Sequence, residues 1–147
     1  MLPALATRSM EADVAPFGDL DGSLALAIEG AIGQGSQFHD AFGYHADGVD
    51  FDTAVAPAGW RERLVVFDPP GAEPGRGLCL EPHDLAASKL VAGRIKDMEF
   101  VGALLDAALV DPATLAERIE MLPRDRVLPA HLAKARRFVA GRLTSGQ

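Results

Sequence analysis

The sequence is poor in cysteine: Cys79 is the single one among 147 residues. One cysteine cannot form an internal disulfide or build a cysteine-ligated zinc site, which favours a reducing compartment such as the cytoplasm. The N-terminal segment has no long apolar run and soon reaches Glu11 and Asp13, so we expect neither a signal peptide nor a membrane anchor. The chain also shows no internal repeat, low-complexity tract or charge block.

The remaining composition is that of an ordinary globular protein. Apolar residues make up 48% of the chain and charged residues 24%, and 147 residues suit a single domain over 1–147. The net charge of −7 repels phosphate backbones, which counts against non-specific DNA binding. A local basic pocket or a Mg²⁺-mediated nucleotide site remains compatible with that charge.

Two Gly- and Pro-rich stretches, 18–22 and 68–77, divide the chain. The second separates a strand-rich half, 1–80, from a helical half, 81–147. This order predicts an α+β fold in which a small mixed or antiparallel sheet is followed by helices.

The pattern of apolar residues predicts the individual elements. Strands are expected at 9–15, 42–44, 49–55, 63–67 and 78–80. Asp47-Gly48 predicts a hairpin turn that joins Tyr44 to Val49. Helices are expected at 24–32, from Pro82 to about residue 109, from Asp111-Pro112 onward, and from Pro129 to about Leu143.

Two acid-x-acid pairs are candidates for metal binding. Glu11 and Asp13 point to the same face of a strand, where their repulsion would be relieved by a divalent cation. Asp50 and Asp52 form a second pair, and Asp52 would add a third carboxylate if its strand neighbours the first. The alternative for both pairs is a solvated strand face.

A charged helix near residues 82–109 carries the candidate phosphate contacts. Lys89 lies among small apolar residues, so it would either extend along them to solvent or reach a phosphate. Arg94 would contact a phosphate through its planar fork. Lys96 and Asp97 follow Lys89 by seven and eight residues, on nearly the same helix face. Gly93 within this helix suggests close approach by a backbone or ligand, or a packing requirement.

Five segments together resemble a group of largely uncharacterised bacterial nucleotidyltransferase-fold proteins. They are Ser9–Val14, Gly43-Tyr44, Gly48-Val49, Pro57–Trp60 and His83–Asp97. The resemblance extends from about Thr7 to about Ile119. Its most specific part is Asp-Leu-x-x-x-Lys-Leu followed by Arg-x-Lys-Asp, which is also similar to a helix in the nucleotidyltransferase toxins of abortive-infection systems.

The resemblance implies a nucleotidyltransferase-like fold and a set of site residues. Its implied catalytic residues are Glu11, Asp13, Lys89 and Asp97. The implied Mg²⁺ ligands are Glu11, Asp13 and Asp52, and the candidates for nucleotide phosphate contacts are Lys89, Arg94 and Lys96.

The sequence departs from this family at a Gly-Ser motif that precedes the acid pair in active members. Here Gly22-Ser23 and Gly35-Ser36 both follow the pair. The departure suggests a shortened relative or a start assigned too late. A missing strand and helix would leave a sheet edge uncovered, so a homodimer or a protein partner is expected.

Two functions therefore stay open at this point. The first is Mg²⁺-dependent transfer of a nucleotidyl group from a nucleoside triphosphate to an RNA, protein or small-molecule acceptor. The second is a non-catalytic binding or regulatory protein of a toxin–antitoxin or phage-defence module. A motif that holds the triphosphate would favour the first, and an apolar partner surface would favour the second.

Overall fold

The computed structural model describes residues 9–71 and 73–144. The predictions about the N-terminal leader concern residues 1–8, which lie outside the described residues. Helices and strands both occur, so the α+β class is confirmed. The chain divides into two compact units, Met1–Ala54 and Val55–Gln147, and each is described separately.

The first unit is built on a parallel strand pair with two helices between the strands. Its elements are β1 (Glu11–Val14), α1 (Ser23–Ile32), α2 (Gln37–Phe42) and β2 (His45–Gly48). Parallel strands need a crossover connection, and α1 and α2 provide it. The register places Glu11 opposite His45 and Asp13 opposite Asp47.

Helix α1 lies directly against β2. A Cβ atom at Gly48 would lie 1.9 Å from the carbonyl oxygen of Ala25 in α1, so glycine alone allows this approach. The start of α1 is fixed by Asp19, whose carboxylate accepts hydrogen bonds from the amides of Leu24 at 2.9 Å and Ala25 at 2.8 Å. The capping of α1 by Asp19 and the lack of a side chain at Gly48 thus allow the helix to pack closely on β2.

Two strands and a hairpin predicted in this unit are wrong. Phe42 ends α2, whose start is capped by the Ser36 hydroxyl through the His39 amide. Asp47 and Gly48 belong to β2 and form no hairpin turn. Residues 49–55 form no strand, because the Asp50 carboxylate closes a turn by accepting the Asp52 amide at 2.9 Å and the Thr53 hydroxyl at 3.3 Å.

The second unit combines a short ribbon with four helices. Its elements are a 3₁₀ helix (Trp60–Arg63), β3 (Val65–Phe67), β4 (Gly77–Cys79), α3 (Pro82–Ala92), α4 (Ile95–Asp106), α5 (Pro112–Glu120) and α6 (Pro129–Thr144). Strands β3 and β4 pair antiparallel. The described residues therefore contain two separate two-stranded sheets, and the predicted single small sheet is wrong.

The hydrophobic core of this unit lies where α3 packs against α4, α5 and α6. Its most deeply buried large side chains are Leu90, Val101, Val110, Leu115, Ile119 and Val139. The predicted start of α5 is confirmed, since the Asp111 carboxylate accepts the Thr114 amide at 2.7 Å and Pro112 occupies the first turn.

The predicted continuous helix from Pro82 is wrong, because it breaks at Gly93. Gly93 has a φ of 79°, in the left-handed region, and α4 begins two residues later. A Cβ at this position would also lie 2.9 Å from Cε1 of His131 in α6. The imidazole Nδ1 of His131 lies 3.0 Å from the Val91 carbonyl oxygen, so α6 covers the end of α3.

Candidate functional site

The acid pair lies on β1 as predicted. Glu11 and Asp13 occupy alternate positions of the strand, are both exposed, and share one face. The parallel register adds Asp47 beside Asp13, on the neighbouring strand. Three carboxylate residues therefore occupy adjacent positions of the two-stranded sheet.

Asp47 and its neighbour His45 were not expected at this site. The Asp47 carboxylate accepts the Gln34 amide at 3.0 Å, and its other oxygen lies 3.6 Å from His45 Nε2. The His45 ring is buried and its centroid lies 4.6 Å from that of His39 in α2. Only the parallel pairing reveals this arrangement, because the sequence placed Asp47 in a hairpin turn.

Asp52 lies on a turn instead of the predicted neighbouring strand. The Val49 amide donates to the Val14 carbonyl at 3.0 Å, and the rings of Phe17 and Phe51 lie 4.9 Å apart. These contacts place the turn with Asp52 just beyond the carboxyl ends of β1 and β2. Within residues 9–71 and 73–144, no three His, Cys, Asp or Glu residues form a group ready to hold a metal ion.

The negative charge of the molecule is concentrated in the first unit. Residues 1–54 contain nine Asp and Glu residues and one Arg, which gives −8, whereas residues 55–147 contain twelve acidic and thirteen basic residues, which gives +1. The one basic residue of this unit is Arg8, so no Lys or Arg occurs from Ser9 to Ala54. A bound cation would relieve the mutual repulsion of these carboxylates.

The second unit brings together the predicted phosphate contacts Lys89 and Arg94 and the predicted catalytic residue Asp97. Asp97 is 2% exposed and receives two contacts from Arg94, from Nε at 2.6 Å and from Nη2 at 3.1 Å. Lys89 Nζ lies 3.8 Å from the same carboxylate and 5.1 Å from the ring centroid of Phe100. Lys96 is exposed on α4. Asp97 thus orients two cations across the break at Gly93.

A second buried carboxylate was missed by sequence reasoning. Asp84 is fully buried and accepts two hydrogen bonds from Arg63, at 2.8 and 3.1 Å. Arg118 Nε lies 3.1 Å from Asp84 Oδ1 in an orientation that makes the contact an ion pair and not a hydrogen bond. The sequence showed Asp84 only as an acidic residue in a first helical turn and gave no signal for its partners.

The start of α3 is fixed by a further polar contact. His83 Nδ1 lies 2.5 Å from Glu81 Oε1, and His83 Nε2 accepts the Asp111 amide at 2.9 Å. Burial alone would raise the pKa of the Glu81 carboxyl, but hydrogen bonds from His83 and from the first-turn amides lower it below its usual value. Both ring nitrogens of His83 are thereby engaged in holding α3 and α5.

Comparisons with known proteins give no indication of the function of this chain. No protein-family model, curated protein or solved structure matches the chain. In the part of the chain that the structure describes, no helix has the length and apolar character needed to cross a bilayer.

Proposed function

We propose that this chain is a cytoplasmic nucleotidyltransferase that uses Mg²⁺ and a nucleoside triphosphate. The observation that carries the proposal is the exposed pair Glu11 and Asp13 on one face of β1, with Asp47 of β2 in register beside Asp13. Glu11 and Asp13 would ligate the cation, and Asp52, beyond the carboxyl ends of the strands, is the proposed third ligand.

The chemistry of these residues fits Mg²⁺. This ion takes one or two protein carboxylates and completes its coordination with water and substrate phosphates. Once bound, it neutralises charge on the phosphoryl group that reacts. Because the described residues form no group of three ready ligands, we expect the cation to bind weakly alone and tightly with the nucleotide.

The proposal gives the cations of the second unit a role in phosphate binding. Lys89 and Arg94 are both oriented by Asp97, which fits a fixed pair of positive charges. Lys96 is proposed as a further phosphate contact. The buried position of Asp97 supports a positioning role for this residue in place of the catalytic role that the resemblance implied.

Calorimetry with ATP, GTP, CTP and UTP, each with and without Mg²⁺, tests the proposal. Wild type is expected to bind at least one nucleotide only when Mg²⁺ is present, and Asp13→Asn is expected to weaken that binding at least tenfold. Asp40→Asn removes one exposed carboxylate from α2 in the same unit and serves as the matched control. Equal nucleotide affinities for wild type and Asp13→Asn would reject β1 as the cation site.

A second candidate function is a non-catalytic binding or regulatory protein of a toxin–antitoxin or phage-defence module. It is favoured by large apolar side chains exposed in the first unit, among them Phe17, Leu26 and Phe42. A folded protein that binds none of the four nucleotides would support this function over the first.

A further inference from the structure

The short loop 33–36 between α1 and α2 is held by two side chains through consecutive backbone amides. The Gly35 amide donates to Nδ1 of His39 in α2 at 3.0 Å, and the Gln34 amide donates to the Asp47 carboxylate in β2 at 3.0 Å. Gly35 has a φ of 79°, in the left-handed region, and so turns the chain at this point. His39 and Asp47 therefore fix the loop to α2 and to β2.

The contact between His39 and Gly35 requires a neutral imidazole. A backbone amide can only donate, so Nδ1 must be the ring nitrogen without a proton, and the proton of the neutral ring lies on Nε2. A second proton would occupy Nδ1 itself and would point at the amide hydrogen of Gly35. Histidine is the side chain whose ordinary proton exchange falls between about pH 5 and pH 8. The hydrogen bond is therefore available to the neutral ring and is lost when the ring is protonated.

The groups around His39 do not compensate for a second proton. Its ring centroid lies 4.6 Å from that of the buried His45, and two charged imidazoles at this distance would repel each other. The carboxylates on the elements that pack against α2 are Asp47 of β2 and Glu29 of α1, and each already accepts a backbone amide. Asp40 is the next residue of α2 itself. In the part of the chain that the structure describes, His39 forms no ion pair with a carboxylate.

We infer that His39 makes the start of α2 sensitive to pH. Neutral His39 closes the loop 33–36, and protonated His39 releases it. Because the proton binds more readily to the open loop, acid shifts the equilibrium toward opening. Opening also loosens the side chain of Asp47, the register partner of Asp13, since the same loop holds it. This response to pH occurs whether or not the chain binds a nucleotide.

Hydrogen exchange of the Gln34 and Gly35 amides, followed by NMR near pH 7.5 and near pH 5, tests the inference on the wild-type chain. We expect their protection factors, which correct for the slower intrinsic exchange in acid, to be about threefold lower or more near pH 5, as one weak hydrogen bond is lost. A ¹⁵N spectrum of the imidazole should show His39 Nδ1 without a proton at the higher pH. Equal protection at the two pH values, or a protonated Nδ1 at the higher one, would overturn the inference.

Two variants separate the His39 contact from other effects of pH. His39→Asn places a carbonyl oxygen close to the position of Nδ1 and accepts the Gly35 amide without titrating, so we expect equal protection at both pH values. Ser36→Ala removes the hydroxyl that accepts the His39 amide at 3.2 Å, so it should lower protection at both pH values and keep their ratio. His45 remains in both variants, so a pH response that persists in His39→Asn would assign the effect to His45 and overturn the inference.

Discussion

Arg63 donates two hydrogen bonds to the carboxylate of Asp84, from Nε to Oδ2 at 2.8 Å and from Nη2 to Oδ1 at 3.1 Å. The pair joins the 3₁₀ helix to the first turn of α3. Arg63 also donates to the carbonyl oxygen of Ala58 at 2.8 Å, and the Ala58 amide donates to the carbonyl oxygen of Met121 at 2.8 Å. The segment before β3 is therefore fixed to α3 and to the end of α5 through polar contacts.

Loss of the Asp84 charge should strongly destabilise the second unit. Asp84→Asn leaves two guanidinium groups without their buried partner, so we expect the free energy of unfolding to fall by about 3 kcal/mol. Urea unfolding followed by the fluorescence of Trp60, the single tryptophan, measures the change. Asp125→Asn, in an exposed turn, is the control, and equal stabilities of the two variants would contradict the role assigned to Asp84.

Glycine should be required at position 48. The Cβ in Gly48→Ala would collide with the backbone of α1, so we expect the first unit to lose about 2 kcal/mol or more of stability. Gly30→Ala adds a Cβ within α1 itself, meets no atom within 4 Å, and should stabilise the helix by about 0.5–1 kcal/mol. Hydrogen exchange of the α1 amides distinguishes the two, and unchanged protection in Gly48→Ala would disprove the close contact.

Glu120 should contribute stability that depends on pH. Hydrogen bonds from Arg136 and Arg124 lower the pKa of this carboxyl from 4.5 to about 2. A folded-state pKa below the unfolded value means that the contribution is complete above about pH 5 and is lost as the pH falls toward 2. Because the side chain is half exposed, we expect its size to stay below about 1 kcal/mol.

Unfolding of wild type and Glu120→Gln across pH 2–6 measures this contribution. The difference in stability between the two proteins should be largest near pH 6 and shrink steadily as the pH falls to 2. Glu117→Gln removes another exposed carboxylate from α5 and controls for the change in net charge. A Glu120→Gln difference that stays constant with pH would argue against the ion pairs.

Asp97 should contribute to the stability of the second unit whether or not a ligand is bound. Asp97→Asn weakens the contacts that orient Arg94 and Lys89, so we expect a loss of about 2 kcal/mol of stability, measured by urea unfolding. Glu99→Gln, exposed on the same helix, is the matched control. Full stability in Asp97→Asn combined with lost nucleotide binding would instead restore the catalytic role that the family resemblance implies.

Helix ends were predictable wherever a local signal fixed them. Asp111-Pro112 and Pro129 start helices as expected, because capping and proline geometry act within a few residues. Gly93 was misjudged because a glycine within an apolar pattern fits either a helix interior or a helix end. His131 packs so closely on Gly93 that a side chain there would collide with it, which fits a helix end at this position. The two residues are far apart in the chain, so no local pattern predicts this contact.

The pairing of distant segments could not be read from residue patterns. Asp47-Gly48 suits a hairpin turn as well as the end of a parallel strand, and only the packing of α1 on Gly48 selects the second. The positions of Glu11 and Asp13 on β1 followed from local alternation. The Arg63–Asp84 pair, in contrast, joins residues 21 positions apart whose partnership depends on tertiary folding.

The uneven charge of the two units means that ionic strength should affect them in opposite directions. Added salt screens the repulsion among the nine carboxylates of residues 1–54 and so stabilises that unit. The same screening weakens the exposed pairs of Glu120 with Arg124 and Arg136 in the second unit. Guanidinium chloride, which is itself a salt, should therefore raise the stability of the first unit relative to that of the second when compared with urea.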